Sequence, residues 1–129
     1  MIDHTTLIYC IIDDLLKQSG HTEDGRAEMS DAEVITAALV AARYFGGNIE
    51  HSRSFLLETG LMPRMLSRSR LNRRLHRVAD LVHTLFHQLG AALKEASTST
   101  KYLLDSFPVA VCDNICIRRS RLVLSLIHI

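Results

Sequence analysis

Apolar residues in the first part of the chain recur at spacings of three and four, in four segments separated by polar or glycine-containing stretches. That spacing places apolar side chains on one face of a helix. The pattern predicts four helices, which run from about Thr5 to Gln18, from Asp31 to about Phe45, from Ile49 to Thr59, and from a cap at Ser67 or Ser69 to about Ala96. The predicted fold of this part is mainly α.

Short local signals mark the ends of these helices. Ser30 and Glu33 have the spacing of a capping box, in which each side chain accepts a hydrogen bond from the other residue's backbone amide. Asn48 can cap the third helix in a related way. Helix ends are predicted at the glycines that follow the first three segments, Gly20, Gly46 and Gly60.

The chain changes character after residue 97. Short apolar runs rich in strand-forming residues predict a buried strand at Lys101–Asp105 and its continuation, or a second strand, at Val109–Val111. The predicted organisation is therefore a helical region at 1–97, followed from residue 98 by the start of a second region that contains strands.

Composition limits the class of protein. Apolar residues make up 47% and charged residues 22% of the 129 residues, a balance typical of a folded globular chain. Three cysteines without paired spacing do not indicate a disulfide framework, and no signal peptide or membrane-spanning run is evident. These features predict a protein of a reducing cytoplasm, with no membrane partner.

Charge is distributed unevenly along the chain, although the net charge is only +1. Residues 1–60 contain ten acidic and four basic side chains, whereas residues 61–77 contain six arginines and no acid. This asymmetry predicts an acidic helical body that carries a local basic patch.

Four arginines of the basic segment fall on one face of the fourth helix. With about 100° per residue, Arg73, Arg74 and Arg77 lie within about 60° of Arg70. The apolar stripe of this helix is centred about 100° away from them. It consists of Leu71, Leu75, Val78, Val82, Leu85, Leu89 and Leu93. Arginine forms forked hydrogen bonds with phosphate and guanine, so the pattern favours a helix-turn-helix-like DNA reader. The alternative is a solvated basic face paired with the acids of residues 1–60. The candidate DNA-binding residues are Arg64, Arg68, Arg70, Asn72, Arg73, Arg74 and Arg77.

Two other patterns carry possible metal chemistry. Asp105 follows a predicted strand and precedes a proline-containing turn, where a carboxylate can bind Mg²⁺, although a turn aspartate is the simpler interpretation. His83 and His87 have a spacing that can hold zinc, but they lack an intervening glutamate and an evident third ligand. That pair is therefore interpreted as partly exposed structural histidines.

Several segments resemble, in one collinear order over about residues 5–118, the bacterial insertion-sequence transposases of the 982 family. The resembling segments are Ser30–Val34, Ala37–Ala42, Tyr44–Asn48, Met65–Arg77 and Leu104–Asn114. The resemblance implies a DDE recombinase with an RNase H-like fold, in which two aspartates and a glutamate hold two Mg²⁺ ions. It also implies that Asp105 is the first of these acids, that residues 98–118 begin the catalytic core, and that the partners are element ends and target DNA. The implied location is the bacterial cytoplasm, in association with the nucleoid.

This chain departs from the family in two ways. The second aspartate and the glutamate have no matching positions, and residues 119–129 no longer follow the family pattern. We therefore expect a truncated portion that binds DNA, has no small-molecule substrate and does not cleave strands by itself. Two alternatives remain open, a small helical DNA-binding regulator and a helical protein-interaction module that forms a homodimer through its leucine stripe.

Overall fold

The computed structural model describes residues 1–101, which form four helices: α1 (Ile2–Gln18), α2 (Asp31–Tyr44), α3 (Ile49–Glu58) and α4 (Arg68–Ala96). The prediction of a mainly α fold is confirmed for this part of the chain. Helix α1 begins three residues earlier than predicted, and the other bounds agree within one or two residues. The predicted strands, Asp105 and the segment 119–129 lie outside the described residues.

The predicted capping interactions are present. The Ser30 Oγ atom accepts a hydrogen bond from the Glu33 amide at 3.1 Å, and Glu33 Oε2 accepts one from the Ser30 amide at 2.7 Å. At the start of α3, Asn48 Oδ1 accepts a hydrogen bond from the His51 amide at 3.1 Å. These bonds satisfy amides that have no partner inside their own helix, which fixes where α2 and α3 begin.

Helix α2 is the centre of the packed unit Met1–Ser97, because it contacts each of the other three helices. Half of its residues are buried, and many of them are alanines, whose small side chains let neighbouring helices approach closely. A buried hydroxyl links two helices directly, since Ser52 Oγ in α3 donates to the Ala37 carbonyl in α2 at 2.7 Å. The core around α2 also contains Leu16, Met29, Leu56, Met62, Leu66 and Leu71.

Two adjacent glycines make the turn between α2 and α3 possible. Gly46 and Gly47 have φ angles of 58° and 86°, in the left-handed region that is costly for residues with a Cβ atom. The Gly47 amide donates to the Ala41 carbonyl at 2.9 Å, which closes the last turn of α2. The chain can therefore reverse within a few residues and bring α3 onto α2.

Helix α4 is 29 residues long, and only its first part is packed. Leu71, Val78 and Leu85 are its buried residues, and they follow one another at intervals of seven along one side of the helix. After Leu85 every residue up to Ala96 is exposed. Within the described part of the chain, no helix is both long enough and apolar enough to cross a membrane.

Candidate nucleic-acid interface

Five arginines meet around one cavity of about 370 Å³ beside the first part of α4, and we call this feature the arginine cavity. Leu66 and one carboxylate, Glu28, complete its lining. The arginines are Arg26, Arg70, Arg73, Arg74 and Arg77. Four of them belong to the helix face that the sequence predicts, and they do lie together.

Arg26 is the functional candidate that sequence reasoning missed. It lies in the connection between α1 and α2, in a stretch that contains Glu23, Asp24 and Glu28, so its local sequence indicates nothing basic. Only the folding of this connection against α4 brings Arg26 to the cavity. No spacing rule relates residues so far apart in the chain, and therefore no local signal identifies it.

Arg74 differs from the other arginines of α4 because it is engaged in packing. Its Nη2 atom donates to Asp31 Oδ1 at 2.6 Å and to the Met29 carbonyl at 3.1 Å. The side chains of Arg74 and Asp31 are only 20% and 16% exposed. Asp31 is the first residue of α2, so this ion pair attaches the start of α2 to α4. Arg74 therefore holds the cavity wall in place.

Asp31 is held between two cationic or potentially cationic partners. Its Oδ2 atom lies 2.8 Å from His21 Nε2, and its Oδ1 atom accepts from Arg74. Burial raises the pKa of Asp31, but the hydrogen bonds from His21 and Arg74 outweigh that effect, and the pKa lies below its ordinary value. The carboxylate is therefore ionised at neutral pH and offsets one positive charge next to the cavity.

The remaining arginines of the predicted face are more accessible. Arg70 Nη1 lies 3.2 Å from Glu28 Oε2, and both side chains are about 60% exposed, so solvent screens this pair strongly. Arg73 and Arg77 are exposed and form no ion pair within residues 1–101. Three guanidiniums, those of Arg70, Arg73 and Arg77, can thus turn towards a ligand without breaking a buried contact.

The other candidate DNA-binding residues lie elsewhere. Arg68 and Asn72 line a separate cavity of about 650 Å³, together with Asn48 and Glu50 at the start of α3. Arg64 is an exposed residue of the connection between α3 and α4. Of the seven predicted residues, four therefore belong to the arginine cavity, two line the second cavity, and Arg64 lines neither.

The helix that follows the tight turn does not line the arginine cavity. That turn, residues 45–48, joins α2 to α3, whereas α4 follows α3 after the nine residues 59–67. The arginine of α3, Arg53, is bound by Glu50 through contacts of 2.6–3.0 Å. In a helix-turn-helix motif the second helix follows a turn of three or four residues. The helix-turn-helix-like arrangement accordingly stays a prediction, with α4 as the basic helix.

The expected Mg²⁺ ligand, Asp105, lies outside the described residues. Comparisons with protein-family models, with curated proteins and with solved structures give no match to this chain. The resemblance to insertion-sequence transposases therefore stays an expectation, and the geometry of residues 1–101 is the basis for a functional proposal.

Proposed function

We propose that the arginine cavity binds the phosphate backbone of DNA, and that the chain contains the DNA-binding region of an insertion-sequence transposase of the DDE class. The observation that supports this most directly is the collection of five arginines and a single carboxylate around one cavity. Guanidinium groups held close together repel one another, and an inserted phosphate relieves that repulsion.

The transposase part of the proposal rests on the residues that resemble the 982 family. In that family Asp105 would bind Mg²⁺ with two further acids, and the bound metal would activate water and stabilise the leaving oxygen. One carboxylate does not position two metal ions, so we expect no strand cleavage by this chain alone. Supercoiled DNA incubated with the chain and Mg²⁺ or Mn²⁺ should stay intact; nicks that disappear in Asp105→Ala would contradict this expectation.

DNA binding is tested by the affinity for a labelled duplex across a salt series. Each phosphate contact contributes a slope of about −0.9 to a plot of log affinity against log salt concentration. The variant R70A/R73A/R77A removes the three accessible guanidiniums and leaves the Arg74–Asp31 pair intact. We expect the variant to bind weakly and to lose about two to three units of slope.

A matched control removes the same charge from other surfaces. In K17A/R43A/K94A three cations disappear from α1, α2 and the end of α4, away from the arginine cavity. The control should keep the salt slope of the parent. If both triple variants lose affinity equally, net charge and not the arginine cavity is responsible, and the proposal is wrong.

Glu28 provides a test in the opposite direction. Its carboxylate competes with phosphate for Arg70, since the two side chains lie 3.2 Å apart in the cavity. Glu28→Gln should therefore raise the affinity for duplex several-fold at low salt, with a smaller gain at high salt because ions screen this exposed pair. An unchanged affinity would mean that DNA does not contact Arg70.

A second candidate function, self-association, is favoured by exposed apolar side chains. Leu7 and Ile11 of α1 are 57% and 45% exposed, and Phe86 and Leu93 of α4 are 55% and 62% exposed. Ile11 lines one apolar cavity together with Phe86 and Leu89, and contiguous exposed apolar surfaces often mark protein interfaces. Sedimentation of the chain without DNA tests this, because a module of this kind gains mass with concentration and does not bind duplex.

A further inference from the structure

His83 and His87 form a close pair on the exposed side of α4. Their Nε2 atoms lie 3.2 Å apart, and the ring centroids are separated by 4.4 Å with the planes inclined at 73°. The spacing of four residues puts both side chains on the same face, one turn apart. Two imidazole nitrogens therefore converge on one point outside the helix.

The separation of these nitrogens matches that of two ligands on one metal ion. With zinc–nitrogen bonds of about 2.0 Å and tetrahedral angles, two imidazole nitrogens lie about 3.3 Å apart. Without metal, one Nε2 donates a hydrogen bond to the other. With metal, both rings must carry their proton on Nδ1, a change of tautomer that needs no movement of the backbone.

The surroundings of the pair also suit a cation. His76, Asp80, His83 and His87 all are exposed, and they fall within an arc of about 60° when the helix advances about 100° per residue. The Asp80 carboxylate adds negative charge one turn before His83. Because the pair faces solvent, water can occupy the coordination positions that the protein leaves open.

Another group of possible ligands fits a metal less well. Donor atoms of His21, Glu23 and Asp31 lie within 4.8 Å of one another. However, Asp31 already contacts both His21 and Arg74, and Glu23 Oε1 accepts from the Asp31 amide at 3.0 Å. The Arg74 guanidinium, 2.6 Å from Asp31, repels a further cation. Hydrogen bonding and charge are thus satisfied there without a metal.

We propose that His83 and His87 form a two-imidazole site for a divalent transition metal of the Zn²⁺, Ni²⁺ or Cu²⁺ type. Imidazole prefers these ions, whereas Mg²⁺ and Ca²⁺ prefer oxygen ligands, so the site differs in chemistry from the one expected at Asp105. A bound ion ties together two successive turns at the point where α4 leaves the core.

The test is a calorimetric titration of the purified full chain with Zn²⁺. The parent should bind an ion that H83A and H87A each bind about tenfold more weakly or worse. The matched control H51A, which changes an exposed histidine of α3, should bind like the parent. Both His83 and His87 are exposed, so their loss leaves the core intact, which a circular dichroism spectrum verifies.

Two further variants separate this site from other zinc-binding groups. H21A removes one member of the group formed by His21, Glu23 and Asp31. C112S/C116S removes the thiols of Cys112 and Cys116, two of the three cysteines of the chain, because thiolates also bind zinc. Both variants should bind zinc as the parent does. The proposal is overturned if H83A and H87A bind zinc like the parent, or if only H21A or C112S/C116S loses it. The titration measures zinc binding alone, so its result does not depend on whether the chain binds DNA.

Discussion

The two parts of α4 have similar apolar patterns and very different surroundings. Between Arg68 and Leu85 the leucine and valine side chains of the helix pack in the core, and the Arg74–Asp31 pair attaches this part to α2. From Phe86 to Ala96 every residue is exposed, including Leu89 and Leu93, which continue the apolar stripe. A regular stripe therefore specifies a helix and its apolar side, but it does not specify which neighbour covers that side.

The largest contrast is expected in amide hydrogen exchange. Amides between Leu71 and Leu85 should exchange only when the whole unit unfolds, because opening them exposes buried side chains. Amides after Phe86 can open by fraying from the end of the helix, which costs little free energy. We expect protection to differ by about a thousandfold, equivalent to about 4 kcal/mol. Equal protection along α4 would mean that something covers its second part in solution.

Truncating one leucine in each part is the next test. Leu71 is fully buried, so Leu71→Ala should lower the free energy of unfolding by about 3 kcal/mol through lost burial and a cavity. Leu93 is 62% exposed, and Leu93→Ala should change the free energy of unfolding by less than about 0.5 kcal/mol. Urea denaturation measures both. A large loss in Leu93→Ala would show that this leucine is covered in solution, which would favour self-association.

Sequence reasoning performed well for the features that depend on near neighbours. The Ser30–Glu33 box, the Asn48 cap and the glycine turn at Gly46 use contacts within a few residues, and each is present. The arginine face of α4 follows from helical geometry alone, and its four members share the cavity.

Features that depend on distant parts of the chain could not be predicted. The Arg74–Asp31 pair joins residues 43 positions apart, and its partner acid could equally have been any of ten in the first sixty residues. Arg26 likewise reaches the cavity through packing between distant parts of the chain. The apolar face predicted for α1 is also wider than the face that is buried, since Leu7 and Ile11 are exposed. The spacing of apolar residues along the chain does not show how much of an apolar face is buried.

The ion pair that holds the first part of α4 gives a smaller effect, and one that depends on pH. Asp31→Asn leaves Arg74 without its charged partner, and should lower the free energy of unfolding at pH 7 by about 2 kcal/mol. The pKa of Asp31 is below its ordinary value in the folded chain, so the unfolded chain binds the proton more readily. The contribution is present in full above the ordinary pKa of about 3.8 and is lost as the pH falls through the lower, folded value.

Urea denaturation at pH 7 and near pH 3 checks this sign. The difference between the parent and Asp31→Asn should shrink in acid, because the parent then begins to lose the same ion pair. Asp80→Asn is the matched control, since Asp80 is an exposed carboxylate of α4 and should change the free energy of unfolding by less than about 0.5 kcal/mol. A constant difference at both pH values would mean that shape, and not charge, makes Asp31 important.

The smallest effect, and the only stabilising one, concerns Gly90 in the exposed part of α4. A Cβ atom added there meets nothing within 4 Å, and Gly90 is not among the glycines with positive φ. Alanine is preferred over glycine inside a helix by about 0.5–1 kcal/mol. If the second part of α4 frays independently, Gly90→Ala should increase helical circular dichroism and slow exchange after Phe86, while the urea midpoint of the whole unit hardly moves. A shift of the urea midpoint equivalent to the full 0.5–1 kcal/mol would instead mean that the exposed part unfolds together with the core. The two parts of α4 would then differ in burial but not in cooperativity.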